Sequence, residues 1–119
     1  MTTIHKNKPK RDKKYLKNIC DYGCVITGQD AIPHHLKGYK QGGGKCSDYL
    51  TFPLSDKYHS AAYTTGLHND TAKWEELHGL QTYHIKETLH MALRDRLITQ
   101  KDYEIAYREC IDLDKRFRS

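Results

Sequence analysis

The chain has no long apolar run, little proline and few bulky apolar side chains, and each shortage removes a class of protein. Its 119 residues include three prolines, two phenylalanines, two methionines and one tryptophan, with a mean hydropathy of −0.86. No stretch approaches the roughly 18 apolar residues of a membrane span. The N-terminus is basic but lacks the apolar segment of an export signal, so a cytoplasmic chain with no membrane partner is expected. The four cysteines, Cys20, Cys24, Cys46 and Cys110, do not form two close pairs. That spacing disfavours a four-thiolate zinc site, and a reducing compartment disfavours disulfides. A chain of this length suits one domain with one modest core.

What the chain does have is positive charge in one place. Residues 1–17 carry seven lysines and arginines against Asp12, a net +6, so the remaining 102 residues sum to −1. A basic mobile arm is expected over 1–17, with Lys10, Arg11, Lys13 and Lys14 as phosphate contacts, because such tails find polyanions by releasing counterions. The folded domain is expected over 18–119.

Within that domain, Gly23 and Gly28 punctuate the run from Tyr15 to Pro33 like a knuckle. Cys20 and Cys24 sit there, but Thr27 stands where a second thiolate would, so a turn held by hydrogen bonds and by Val25 and Ile26 is expected rather than structural zinc. Pro33 biases Ile32 towards extended backbone, predicting a strand over 31–37. Asp48–Leu54 predicts a second strand, with Leu50, Phe52 and Leu54 towards the core and Tyr49, Thr51 and Pro53 on the other side. Ser55 can cap a helix that starts DKYHSAAY. Between the strands, Lys37, Lys40 and Lys45 flank three glycines whose amides could approach a phosphate.

From residue 69 the periodicity is helical. Asp70 or Thr71 can start a helix ending at Gly79. A second helix over about 81–97 carries Ile85, Leu89, Leu93 and Leu97. Thr99 with Asp102 starts a third, on which Tyr103, Ala106, Cys110, Leu113 and Phe117 form one face. The predicted class is therefore α+β: a strand–strand–helix core over about 31–66 packed against helices over about 69–118.

The chemistry concentrates in PHHLKGYKQGGGKCSDYLTFPLSDKYH, residues 33–59. It holds His34, His35, Asp48 and His59, and His59 is placed to face back from the helix towards the strands. Adjacent strand residues point to opposite faces, so His34 and His35 can serve one site only near a strand end. His78, His84 and His90 recur every six residues and share no helix face, while His5 and His68 read as surface residues. These features leave three readings open: metal-dependent phosphodiester hydrolysis, a metal-bound structural finger, or a metal-free nucleic-acid-binding accessory module.

The ordered strings CVITG, the 33–59 block and WEELHG, spanning about 75 residues from Cys24 to Leu97, resemble the HNH or ββα-metal (His-Me finger) endonucleases. The nearest likeness is to the recombination enhancement, RecA-dependent nuclease (Ref) family of bacteriophages. The resemblance implies a DNA-cleaving hydrolase acting in phage recombination or DNA processing, in the host cytoplasm, with DNA and a RecA-type filament as partners. Carried over by position, His35 would be the general base, His34 and His59 the ligands of a magnesium or manganese ion, and Asp48 the residue that orients the base or its loop. Lys37 and Lys45 would contact phosphate. Thr27, Ser55 and Tyr58 stand where zinc-bearing relatives have Cys or His, so no structural zinc is expected. Tyr63 stands where many such enzymes present a further histidine.

Overall fold

The computed structural model describes residues 9–37, 46–60 and 63–118, and side chains as far as residue 116. Lys40, Lys45 and the glycines between them lie outside the described residues, as do residues 1–8 and the side chain of Phe117. The class is α+β. The order is α1 (Lys13–Ile19), a single 3-10 turn (Cys20–Tyr22), β1 (Ile32–His35), β2 (Thr51–Leu54), α2 (Asp56–His59), α3 (Thr71–His78), α4 (Gln81–Arg94) and α5 (Gln100–Arg118). No described helix is long and apolar enough to cross a membrane.

The two strands pair antiparallel, with Ile32 opposite Leu54, Pro33 opposite Pro53, His34 opposite Phe52 and His35 opposite Thr51. Proline survives in both because a two-stranded ribbon consists only of edges, where a missing N–H costs no ladder bond. The predicted alternation of β2 does not hold: all four of its residues are buried. Helices cover one side, while the N-terminal segment and the knuckle cover the other, where Val25 N–H donates to the Pro53 carbonyl at 3.1 Å.

The knuckle closes through backbone bonds, Cys24 N–H to the Gln29 carbonyl at 2.8 Å and Gly28 N–H to the Cys24 carbonyl at 2.7 Å. Gly23 has φ +85°, and a Cβ there would lie 2.5 Å from the Gly28 carbonyl oxygen, so only glycine fits. The Cys20 thiol donates to the Leu16 carbonyl, and the Cys24 sulfur accepts from Ile26 N–H.

The arm boundary at Lys17 needs correction. Residues 13–17 belong to α1, which Asp12 caps by accepting from Tyr15 N–H at 2.9 Å. Tyr15 and Ile19, one turn apart, are buried, and Tyr15 packs edge-on against Tyr49. A helix face anchored by two such side chains is part of the core, whatever the charge of its other faces. Lys10, Lys13, Lys14 and Lys17 remain exposed.

The C-terminal helices follow the sequence closely. Asp70 caps α3 by accepting from Lys73 N–H, Gly79 ends that helix with φ +95°, and Thr99 Oγ1 accepts from Asp102 N–H at the start of α5. Ile85 and Leu89 of α4 and Ala106, Cys110 and Leu113 of α5 are buried together.

Candidate metal centre and the adjoining dyad

His34 lies in β1, which is too short to bury anything alone, so its surroundings come from later in the chain. Phe52 packs against the ring at 5.1 Å and Trp74 packs behind Phe52, forming an apolar floor. Above it, the His34 ring centroid is 4.9 Å from that of His59 and 5.2 Å from that of His68. One ligand atom from each of His34, His59 and His68 lies within 4.8 Å of the others, the one such convergence of potential metal ligands among the described residues. His34 and His59, the two ligands that the family resemblance implies, do come together.

The third member corrects the reading of His68 as a surface residue. The helix after Ser55 stops at His59 instead of continuing through Tyr63, which is exposed. A turn then returns the chain, so that Leu67 N–H donates to the Tyr58 carbonyl at 2.8 Å and His68 N–H to the His59 carbonyl at 3.1 Å. Gly66 allows that return, since a Cβ there would fall 1.8 Å from the Ser60 carbonyl oxygen. Leu67, fully buried, anchors it. The imidazoles of His59 and His68 then meet with their Nε2 atoms 3.0 Å apart. Eight residues separate the two histidines in sequence, a spacing with no helical meaning, so periodicity gave no signal.

Gln81, at the start of α4, is wholly buried beside His34 and also went unnoticed in the sequence. Its amide orientation is set by two backbone groups with fixed roles: Lys37 N–H donates to Oε1 at 3.0 Å, and Nε2 donates to the Lys37 carbonyl at 2.6 Å. The oxygen therefore faces His34 Nε2, 3.0 Å away, and His34 carries its proton on that nitrogen. Its lone pair is left on Nδ1. Glu75 completes the support by accepting from Gln81 N–H at 3.1 Å.

Burial holds the cluster neutral. It drives the His34 pKa down to about 3, with the Gln81 carbonyl opposing and the neighbouring imidazoles assisting. His59 and His68 are also lowered, first by burial and then by nearby positive charge, although Asp56 works the other way at His59. Each neutral imidazole keeps one lone pair, so binding a cation would need no prior loss of a proton.

His35, the last residue of β1, turns to the opposite face. Its Nε2 donates to Asp48 Oδ1 at 2.7 Å, so its own lone pair sits on Nδ1. Asp48 is buried, and burial alone would raise its pKa. Hydrogen bonds from His35 and from Asp12 N–H, together with the Arg11 charge, outweigh that and hold it below the usual value. Arg11, expected as a phosphate contact, gives its Nη1 to Asp48 Oδ1 at 3.2 Å and to the Cys46 carbonyl at 2.8 Å. The partners of the two adjacent histidines are thus entirely different groups.

A family model described as a protein of unknown function (DUF968) matches residues 2–95. No curated protein and no solved structure matches the chain.

Proposed function

From the premise that the chain belongs to the DUF968 family, and from the chemistry of its site, we propose a metal-dependent endonuclease of the HNH (ββα-metal) type that hydrolyses DNA phosphodiester bonds. The observation that carries this reading is the pairing, at the end of one strand, of a three-imidazole cluster with a carboxylate-oriented histidine. A structural role would call for the first and not the second.

His34, His59 and His68 would hold a divalent ion. Bound there, the ion would supply Lewis-acid stabilisation of charge on the phosphate and on the departing 3′ oxygen. Three imidazoles and no carboxylate in the cluster suit a transition ion, so of the two expected metals manganese fits better than magnesium. His35 takes the proton of the attacking water through Nδ1, with Asp48 fixing the tautomer and accepting from the Nε2–H of the resulting imidazolium. Lys10, just ahead of α1, and Lys13 and Lys14 on its exposed side hold phosphates. Lys37 lies beside the cluster, and Lys40 and Lys45, outside the described residues, are further phosphate contacts on this reading. Lysines read the backbone rather than base edges, so sequence preference is slight. Action in phage recombination beside a RecA-type filament rests on the resemblance to Ref alone. The exposed lysines of α1 also support the second reading, a DNA-binding accessory protein on a degenerate scaffold.

Plasmid nicking with manganese separates the two. His35→Ala should lower the cleavage rate by about 10²–10⁴-fold, the usual worth of a positioned base, and leave DNA affinity within twofold. Unchanged cutting in that variant would remove His35 from the chemistry.

A further inference from the structure

His68 is already engaged on both of its ring nitrogens. Lys37 Nζ lies 2.8 Å from His68 Nδ1, and His68 Nε2 lies 3.0 Å from His59 Nε2. An ammonium has three donors and no acceptor, so Nδ1 must receive that hydrogen bond with its lone pair. The proton of the neutral ring is then on Nε2, where it bridges to the His59 nitrogen. The two atoms best placed to share an ion are therefore joined by a hydrogen bond instead.

Metal ligation reverses this arrangement. If His68 binds through Nε2, its proton moves to Nδ1, and an N–H then faces an ammonium, donor against donor. If it binds through Nδ1, the lone pair that Lys37 uses is taken directly. In both cases the lysine has to leave. Its backbone does not need to move, because Lys37 N–H and carbonyl are held by the Gln81 amide at 3.0 and 2.6 Å. The displaced ammonium remains tethered beside the cluster.

We propose that Lys37 is a displaceable latch on the third ligand, closed on His68 in the ion-free protein, released by the incoming cation and then free to receive the phosphate of the substrate. This rests on the reading of the histidine cluster as a metal centre and adds a linkage to it. Cation and lysine compete for His68, while an anion that draws the lysine away favours the cation. Manganese and DNA phosphate should therefore each tighten the binding of the other, by the same factor.

The test uses the full chain, wild type against Lys37→Met, with manganese titrated by calorimetry in the absence of DNA. Lys57→Met serves as a control that removes the same charge two residues from His59, since Lys57 is exposed and lies over the Tyr58 ring. Losing the latch should tighten manganese binding roughly tenfold, about the worth of one charged hydrogen bond, whereas Lys57→Met should change it less than twofold. In metal-free protein, ¹⁵N shifts of His68 should report the Nε2–H tautomer in wild type and a loss of that bias in Lys37→Met. Equal or weaker binding in Lys37→Met, equal tightening in both variants, or a wild-type His68 protonated on Nδ1 would each overturn the latch. If wild type binds no manganese, or binds it unchanged after His59→Ala, the metal centre itself is wrong. The tautomer measurement still reads the lysine contact separately.

Discussion

The two faces of β1 carry the same side chain at adjacent positions and treat it in opposite ways. On the His34 face the ring is 1% exposed, surrounded by imidazoles, Phe52 and the Gln81 amide, and held neutral by desolvation. On the His35 face it meets a carboxylate that is itself held by a backbone amide and a guanidinium. The supporting groups have different origins. Phe52, His59, His68 and Gln81 furnish the first face, while Lys10–Asp12 and Asp48 furnish the second. Strand alternation makes the separation. On the proposed reading, it would let one histidine keep a lone pair for a cation while its neighbour keeps a basic nitrogen for a proton, with neither task disturbing the other.

The largest expected effect comes from removing the support of one face at a time. Asp48→Asn leaves the shape of the second face but can offer His35 Nε2 an N–H instead of an oxygen, releasing the tautomer. The cleavage rate should fall by about 10²–10⁴-fold, with manganese affinity nearly unchanged. Gln81→Leu does the reverse: it should weaken manganese binding by about 10–100-fold, the usual cost of losing a group that orients a ligand. Its rate at saturating metal should stay within a few-fold of wild type. Calorimetry and single-turnover nicking on both variants would expose any crossover, and loss of the metal in Asp48→Asn would merge the two faces into one site.

A somewhat smaller effect should appear in stability against pH. His34 titrates at about 3 in the folded chain and near 6.5 when unfolded, so between these values the unfolded chain binds the extra proton. Its contribution is complete above pH 6.5 and is lost as the pH falls towards 3, on the order of 5 kcal/mol over the window. Asp48 adds to the loss in the same direction, below the ordinary carboxylate range. Urea unfolding of metal-free protein between pH 7 and 3.5 should show this slope, and His34→Phe should flatten most of it. A slope unaffected by that change would mean that His34 is not desolvated as described.

Much of this was legible in the residues, and the rest was hidden for identifiable reasons. Caps at Asp70 and Thr99, the stop at Gly79 and the Ile85–Leu89 stripe are local signals, and local hydrogen bonding and burial decide helix ends. His34 and His59 could be paired through the family resemblance, and a helix start after Ser55 places His59 to face back towards the strands. His68 could not, because its position depends on a helix stopping at His59 and on Gly66 permitting a close backbone return. A buried glutamine such as Gln81 carries no periodic signature at all. In residues 10–19 the lysines outweighed the two apolar residues one turn apart, Tyr15 and Ile19, that tie the helix to the core.

That last point yields the smallest and most selective test, because the basic N-terminal segment now divides between the two tasks. Lys13 and Lys14 project into solvent from α1, and their loss should reduce DNA affinity a few-fold and lower the slope of log affinity against log salt by about 0.9 per phosphate contact removed. Arg11 spends its guanidinium on Asp48 and the Cys46 carbonyl. At 51% side-chain exposure that ion pair is worth little to stability, so Arg11→Ala should fold normally. It should also leave the salt slope within experimental error while lowering the cleavage rate a few-fold, because Asp48 loses one of the groups that aim it at His35. If Arg11→Ala instead moved the salt slope as much as Lys13→Ala does, the guanidinium would be exchanging Asp48 for a DNA phosphate. The second face would then be completed by the substrate rather than by the chain.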